Sequence, residues 1–223
     1  MTAINVFVKD DGIHFITDGI TYMPSAKAAV GRLAKVLSLP WLDAAIATSG
    51  TAIAGYMIAA AIGDAAIETF DGLVEHLPEI VRNGTLELRR AGQALLNNCE
   101  IVIGGWSESR DRYEAYALAT MSHNGQPAFT LRPVTRYLRP YPSATISALF
   151  DPAYGARDGM AILSAQRDAP GEGVDGHLAG RAVGAFGQWS HLSRDGLMTR
   201  CIGTWPEDLA KIAGREAGWL EAA

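Results

Sequence analysis

The sequence predicts a layered α+β fold, in which groups of strands are separated from groups of helices. Two short β-branched and aromatic runs open the chain and are joined by Asp10-Asp11-Gly12. A long stretch rich in Ala and Ile follows, with apolar residues on nearly every helical face, and further strand-like runs come after it. Strand groups kept apart from helix groups favour this architecture over alternating βαβ units.

The first fifty residues contain the clearest strand signals. The Asp-Gly turn predicts a hairpin, because Gly12 accepts the positive φ that a tight turn needs. A looser segment follows, and two further strands end at Pro40 and at Gly50. The four predicted strands are Ile4–Lys9, Ile13–Thr17, Leu33–Leu39 and Trp41–Ser49.

The hydrophobic period changes at Thr51, which we expect to be the N-cap of a buried helix. The predicted helices are Thr51–Phe70, Leu73–Arg82, Leu86–Leu96, Pro152–Gln166 and Pro206–Leu220. The later predicted strands are Cys99–Gly104, Tyr113–Met121 and Ala128–Leu131, followed by a closing hairpin of Ala182–Leu192 and Leu197–Gly203. Residues 132–142 contain three prolines and three arginines and are predicted to be irregular.

Length and composition indicate one globular domain over residues 1–223. Hydrophobic residues make up 48% of the chain and charged residues 19%, which is too apolar for disorder. The net charge of −5 argues against a nucleic-acid partner, which would require a basic face. The longest apolar stretch, Ala52 to Ile67, is interrupted by Gly55, Gly63 and Asp64, so we expect no membrane partner.

Cysteines and histidines give no sign of a cofactor. Cys99 and Cys201 lie far apart beside apolar residues and are expected to be free thiols, which together with the absence of a secretory signal predicts a cytoplasmic protein. The five histidines have no metal-binding spacing, and no glycine-rich phosphate loop follows a strand, so no metal or other cofactor is expected. His14 alternates with apolar strand residues and is expected to face solvent or a subunit contact.

Thr2 is the candidate nucleophile. We expect removal of Met1 to expose Thr2 as the first residue, whose free α-amino group has a pKa of about 8. That amine can act as the base for the hydroxyl of the same residue, which is one way to activate a weak nucleophile.

Three later residues are candidates to support this chemistry. Asp18 ends the second strand, Lys35 lies in the third, and Gly50 closes the fourth. Paired strands bring their ends together, so we expect Thr2, Asp18 and Lys35 to cluster at one sheet edge. Lys35 would lower the pKa of the hydroxyl, and Asp18 would keep Lys35 charged. The Gly50 N–H, at a helix N-terminus, would stabilise a tetrahedral oxyanion.

These residues resemble the proteasome β-subunit branch of the Ntn hydrolases, whose phage and bacterial relatives also begin with Met-Thr. The resemblance is specific over residues 2–50 and rests on five runs: Thr2-Ala3-Ile4, Asp11-Gly12, Phe15-Ile16-Thr17-Asp18, Ala34-Lys35-Val36-Leu37 and Thr48-Ser49-Gly50. It implies a four-layer αββα sandwich of two antiparallel sheets flanked by helices. It further implies a threonine hydrolase that cleaves peptide or other amide bonds, working as a homo-oligomer or larger assembly.

The resemblance implies two more site residues and also shows a departure. Ser143 corresponds to the Ser that the family places after its central hairpin, and Asp168, in Arg167-Asp168-Ala169, to the family's Asp. The family's second Ser has no counterpart, because position 171 is Gly. A second function is therefore open: a non-catalytic protein that kept the Ntn fold as a structural or assembly subunit, for example of a phage or prophage particle.

Overall fold

Two five-stranded antiparallel sheets, with helices packed against them, form most of the chain. The computed structural model describes residues 2–23, 28–122, 125–140, 146, 148–169 and 183–221. The strands are β1 (Ile4–Lys9), β2 (Gly12–Asp18), β3 (Ile20–Met23), β4 (Ala28–Arg32), β5 (Val36–Leu39), β6 (Ala44–Ser49), β7 (Glu100–Ser107), β8 (Arg112–Ala119), β9 (Arg132–Val134), β10 (Arg136–Arg139), β11 (Phe186–Ser193) and β12 (Gly196–Thr204). The helices are α1 (Ala54–Asp64), α2 (Phe70–Arg90), α3 (Gly155–Asp168) and α4 (Pro206–Glu221), with 3₁₀ turns at Pro40–Leu42 and Pro152–Tyr154.

The strand order places the first and the last strands of the chain in one sheet. The first sheet has the order β10-β1-β2-β11-β12, and the second has the order β5-β6-β7-β8-β9. Strands β3 and β4 form a separate two-stranded sheet. The predicted α+β class, with antiparallel sheets, is confirmed.

Four apolar clusters among the described residues hold the elements together, and strand alternation decides which strand residue enters which cluster. In β7, Ile101 and Ile103 pack with α1 and α2, whereas Val102 packs with residues of the first sheet. In β2, Phe15 faces the second sheet, and Ile16 packs with Ile162 of α3. Successive strand residues point to opposite faces of a sheet, so neighbours in one strand enter different clusters. Buried apolar surface contributes about 25 cal/mol per Å² to folding.

The hairpin at the start of the chain is confirmed, with Lys9 paired to Gly12 across Asp10-Asp11. The strand predicted over Leu33–Leu39 corresponds to β5 and is shorter than predicted. It begins at Val36, so Lys35 precedes the strand, and the chain then makes a 3₁₀ turn before β6 begins at Ala44. Asp43 closes that turn with a left-handed backbone (φ 45°), so the extended strand expected from Trp41 begins only at Ala44.

The predicted start of the first helix is wrong. Helix α1 begins at Ala54, and its N-cap, Ile53, makes no side-chain capping bond. The Ala54 N–H donates instead to the Thr51 carbonyl at 2.9 Å, which makes a turn before the helix. Thr51 is therefore not an N-cap.

Helix α2 is continuous where two helices were predicted. Thr69 caps it, accepting from the Gly72 N–H at 3.1 Å, and it runs through the turn-favouring Asn83-Gly84 to Arg90. Leu77, Val81 and Thr85 are buried at a spacing of four residues, so one helical face packs along its whole length. Burial of this face outweighs the local preference for a break.

Residues 132–142 were predicted to be irregular, and this is wrong for residues 132–134 and 136–139. Strand β9 pairs with β8, and β10 pairs with β1. Both are edge strands of their sheets, where a proline such as Pro133 is tolerated because one side of the strand needs no ladder bond. Among the described residues, no helix is long and apolar enough to cross a lipid bilayer.

Candidate active site

Asp18 lies at the centre of a buried hydrogen-bond cluster at the end of β2. Its side chain is 0% exposed. Oδ1 accepts from the Ala3 N–H at 2.8 Å and from Lys35 Nζ at 2.7 Å. Oδ2 accepts from the N–H groups of Ile20 at 3.3 Å and Gly184 at 3.2 Å. Four donors on two oxygens supply the satisfaction that a buried carboxylate requires.

Lys35 forms a buried ion pair with Asp18. Its side chain is 5% exposed. Burial lowers the pKa of Lys35 below its ordinary value, and the charge and hydrogen bond of Asp18 oppose that shift. Lys35 Nζ and the Ala3 N–H both donate to Asp18 Oδ1, so the lysine lies next to the backbone of the residue that follows Thr2.

Thr2 stands at the edge of this cluster. It is partly exposed, whereas Ala3 is fully buried. The bond from the Ala3 N–H to Asp18 fixes the backbone immediately after Thr2 and leaves Thr2 itself partly open to solvent. The structure thus connects three of the predicted elements: the N-terminal strand, Asp18 and Lys35.

Strand register brings Gly50 to the same end of the two sheets. Ile4 pairs with Arg139 in the first sheet. The Arg139 guanidinium binds the Glu100 carboxylate through two bonds, of 2.6 and 2.7 Å. Glu100 pairs with Ser49 in the second sheet, and Gly50 is the next residue. A bidentate ion pair therefore joins the sheets where β1 begins and β6 ends.

Gly50 occupies a position that only glycine fits. Its φ is +114°, and an added Cβ would lie 2.7 Å from Cys99 Sγ. Burial raises the pKa of the Cys99 thiol, against the effect of the Thr51 N–H that binds it. Because α1 begins only at Ala54, Gly50 precedes the helix and does not form its N-terminus. Any oxyanion role of its N–H thus depends on the loop, without the helix dipole that the sequence suggested.

The last two predicted site residues are placed differently. Ser143 lies outside the described residues. Asp168 is the last residue of α3 and is exposed, whereas Arg167 is buried. One step along a helix turns the side chain by about 100°, so only one of two neighbours can face the core. At this turn of α3 the side chain of Arg167 faces the core, and that of Asp168 faces solvent.

Sequence reasoning missed the residues that hold Asp18 from the far end of the chain. Gly184 donates to Asp18 across 166 residues, and Arg167 and Asp208 lie against Gly184. No short motif signals these contacts, because each partner comes from a different element. The only sign was Arg167 itself, beside the predicted Asp168.

A second polar cluster lies near the hairpin turn and includes His14. Contrary to expectation, His14 is 1% exposed, because the rings of Phe150, Trp189 and His191 cover it. His14, His191 and Asp11 have ligand atoms within 4.8 Å of one another, which is the spacing of a metal site.

The hydrogen bonds of His14 do not fit a bound metal. The Trp189 indole, which can only donate, donates to His14 Nδ1 at 3.1 Å. The imidazole proton is therefore on Nε2, where it donates to Asp11 Oδ1 at 3.2 Å. A metal bound at Nε2 would need the lone pair that this proton occupies. The His14 and His191 rings also stack face to face, with centroids 4.3 Å apart.

We expect His14 to make the protein less stable in mild acid. Burial lowers the pKa of His14, and the repulsion from His191 and Lys9 adds to this, whereas the hydrogen bond that His14 donates to Asp11 opposes it. In the unfolded chain the pKa of His14 is about 6.5, so below neutrality the unfolded state binds more protons than the folded state. The free energy of unfolding therefore decreases as the pH is lowered. The stabilisation is complete above the unfolded pKa and is lost as the pH falls through the folded value.

Urea titrations between pH 8 and pH 5 measure this loss in the wild type and in His14→Gln, which keeps a donor for Asp11. The variant is expected to show a shallower pH dependence. Equal slopes in the two proteins would contradict a buried, neutral His14.

The fold and site together define an α+β protein whose N-terminal strand is anchored to a buried Lys–Asp pair. No family model matches the chain, and no curated protein does. Many solved structures share its fold, and two of them are Anbu proteins. An Anbu (Gly-1) mutant from Hyphomicrobium sp. strain MC1 has a TM-score of 0.65, and Anbu (ancestral beta-subunit) from Yersinia bercovieri has a TM-score of 0.63. Each is 11% identical, over 100% of this chain and 96% of the other.

These comparisons correct the family assignment made from residues 2–50. Placing the chain in the proteasome β-subunit branch of the Ntn hydrolases, with its phage and bacterial relatives, is wrong, because no family model matches and the likeness to Anbu is one of fold. Matching residues in the first fifty positions are too small a part of the chain to establish membership. A fold carries many activities, so function has to be argued from the site.

Proposed function

We propose that the protein is an amide hydrolase, proteasome-like in its chemistry, whose nucleophile is Thr2 after removal of Met1. The observation that supports this most directly is the single oxygen, Asp18 Oδ1, that binds both the Ala3 N–H and Lys35 Nζ. It fixes a buried cation beside the residue that would carry the nucleophile. A cation in this position favours the ionised form of a nearby hydroxyl.

The proposed reaction uses groups of the first residue and one loop amide. Thr2 Oγ1 attacks the substrate carbonyl carbon and passes its proton to the free α-amino group of Thr2. The Gly50 N–H binds the oxyanion of the tetrahedral intermediate. The C–N bond then breaks, the ammonium returns its proton to the leaving amine, and an ester on Thr2 remains. Water attacks this ester with the same amine as base and releases the acid.

The wider setting is part of the proposal. We propose that residues 1–223 form one domain, with α1 and α2, the two sheets, and α3 as the four layers of an αββα sandwich. Free Cys99 and Cys201 support a reducing, cytoplasmic location. A homo-oligomer is supported by exposed Trp41, Ile53 and Tyr56 and by the description of the Yersinia protein as a subunit. The substrate is a peptide or another amide.

Intact mass spectrometry with and without a β-lactone probe tests the proposal. A β-lactone acylates an activated hydroxyl by ring opening, so the protein gains the whole mass of the probe. We expect the untreated protein to lack Met1 and the treated protein to gain one probe, located at Thr2 by fragmentation. A protein that keeps Met1 has no free amine at Thr2, and that result would overturn the proposal.

The second candidate is a non-catalytic structural or assembly subunit. The exposed Asp168 favours it, because the residue expected to support the site points away from the core. In the same experiment this candidate predicts a stable assembly that the β-lactone does not modify. Stoichiometric acylation of Thr2 would count against it.

A further inference from the structure

Gly184 binds through both of its backbone groups to residues 18–20, which we call the Asp18 corner. Its N–H donates to Asp18 Oδ2 at 3.2 Å. Its carbonyl accepts from the N–H groups of Gly19 at 3.3 Å and Phe186 at 2.9 Å. Without Gly184, the one bond left to Oδ2 from the part of the chain that the structure describes would be the 3.3 Å bond from the Ile20 N–H. Donors on both oxygens are what fixes the rotation of a carboxylate, so Gly184 also fixes the direction in which Oδ1 meets Lys35.

The residues on either side of Gly184 are held by a buried ion pair. Arg167 Nη1 donates to the Val183 carbonyl at 2.6 Å, and the Ala185 N–H donates to Asp208 Oδ2 at 3.0 Å. The Arg167 guanidinium binds the Asp208 carboxylate through two bonds, of 2.6 and 3.1 Å. One bidentate pair therefore holds the backbone before and after Gly184.

The ion pair also packs directly on the Cα of Gly184. A Cβ at this position would clash with Asp208 Oδ2 and would lie 2.8 Å from Arg167 Nη1. Any larger residue would push the ion pair and the Asp18 corner apart. The absence of a side chain at position 184 is thus required by packing.

Both partners of the ion pair are themselves fixed. Arg167 is buried, and its guanidinium lies 4.8 Å from the Trp205 ring centroid. The preceding residue, Gln166, exchanges two hydrogen bonds, of 2.8 and 2.9 Å, with Asn5 of β1. Burial opposes ionisation of Asp208, but Arg167 and the Ala185 N–H outweigh it and lower the pKa of that carboxyl.

We propose that Arg167 and Asp208 are positioning residues that hold Gly184 against Asp18 and so couple the first turn of α4 to the Lys35 ion pair. The inference rests on the proposed function for its effect on reactivity. Its structural part, the support of Gly184 by the ion pair, does not. A displacement of α4 would break the bond from the Gly184 N–H to Asp18 Oδ2, loosen the orientation of the carboxylate, and weaken the bonds of Oδ1 to Lys35 and the Ala3 N–H.

The test compares Asp208→Asn with Glu207→Gln. Glu207 is the matched control: it lies on the same turn and binds the same Arg167 at 2.8 Å, but its side chain is 50% exposed. Both substitutions remove one negative charge. Only Asp208→Asn breaks the bidentate pair with Arg167, because an amide offers one acceptor oxygen where the carboxylate offers two.

We expect Asp208→Asn to slow β-lactone addition at Thr2 by at least about tenfold, since displacement of a positioned group by 1 Å costs about 10²-fold. Its rate–pH profile is also expected to shift to lower pH on the alkaline side, as Lys35 loses the support of Asp18. Glu207→Gln should match the wild type in both. Equal rates and profiles in Asp208→Asn and Glu207→Gln would overturn the proposal.

Two further measurements separate this inference from the proposed function and from misfolding. Amide hydrogen exchange at Gly184, followed by NMR, needs no reactivity at Thr2 and is expected to be faster in Asp208→Asn than in Glu207→Gln. Arg167→Lys gives a second variant, because lysine keeps the charge but has no planar fork to bind Val183 and Asp208 together. It too should expose the Gly184 amide. Unchanged protection in a folded Asp208→Asn or Arg167→Lys protein refutes the inference, even if Thr2 proves unreactive.

Discussion

Replacement of Thr2 by alanine is expected to remove most of the proposed amide hydrolysis and the β-lactone addition while leaving the protein folded. The variant keeps the free amine, the Lys35–Asp18 pair and the Gly50 loop but has no oxygen to form the ester. We expect turnover to fall by at least about 10³-fold, as for removal of other catalytic nucleophiles. Thr2 is partly exposed, so the free energy of unfolding should change by no more than about 0.5 kcal/mol. Steady-state hydrolysis and urea unfolding measure the two effects.

Thr2→Ser is the matched control for this variant. Serine supplies the same hydroxyl and amine without the methyl group, so it should retain turnover and accept the probe at residue 2. Comparable hydrolysis by Thr2→Ala and the wild type would place the nucleophile elsewhere and would remove the main support for the proposed chemistry.

Replacement of Asp18 by alanine should destabilise the protein strongly. The change leaves Lys35 buried without a counter-ion and leaves the N–H groups of Ala3 and Gly184 without their acceptor. Loss of one partner of a buried ion pair costs about 3–5 kcal/mol. Thermal or urea unfolding of the purified variant measures this loss, and the same change should disorder the backbone next to Thr2.

A double-mutant cycle with Lys35→Met identifies the source of that loss. Methionine fills a similar volume without a charge, so Asp18→Ala combined with Lys35→Met should be more stable than Asp18→Ala alone. If the two changes destabilise additively, the buried charge of Lys35 is not what Asp18 compensates, and the arrangement of the site would have to be reconsidered.

The part of the site nearest the N-terminus could be predicted because its signals are local. The Asp-Gly turn fixes how β1 and β2 pair, and that pairing places Asp18 across from the first residues of the chain. Lys35 was identified although its strand begins three residues later than predicted, at Val36. A lysine and an aspartate beside apolar strands can be buried only as a pair, and this holds wherever the strand begins.

The rest of the site depends on contacts between distant elements. Gly184 reaches Asp18 across 166 residues, and Arg167 reaches Asp208 across 41. Asp168 appeared from its motif to be the important residue, but the rotation of α3 turns its neighbour inward. Which of two adjacent helical residues faces the core depends on what the helix packs against, and a single sequence does not contain that information.

By itself, the sequence determined the α+β class, the first hairpin, and the identity of the buried aspartate and lysine, because turn chemistry, strand alternation and the cost of an unpaired charge act over short distances. Only the tertiary structure decided that α2 is continuous, that residues 132–134 and 136–139 are edge strands, that His14 is buried, and that the ion pair between α3 and α4 supports the Asp18 corner. Each of these features depends on burial against a partner surface, which exists only once the chain has folded.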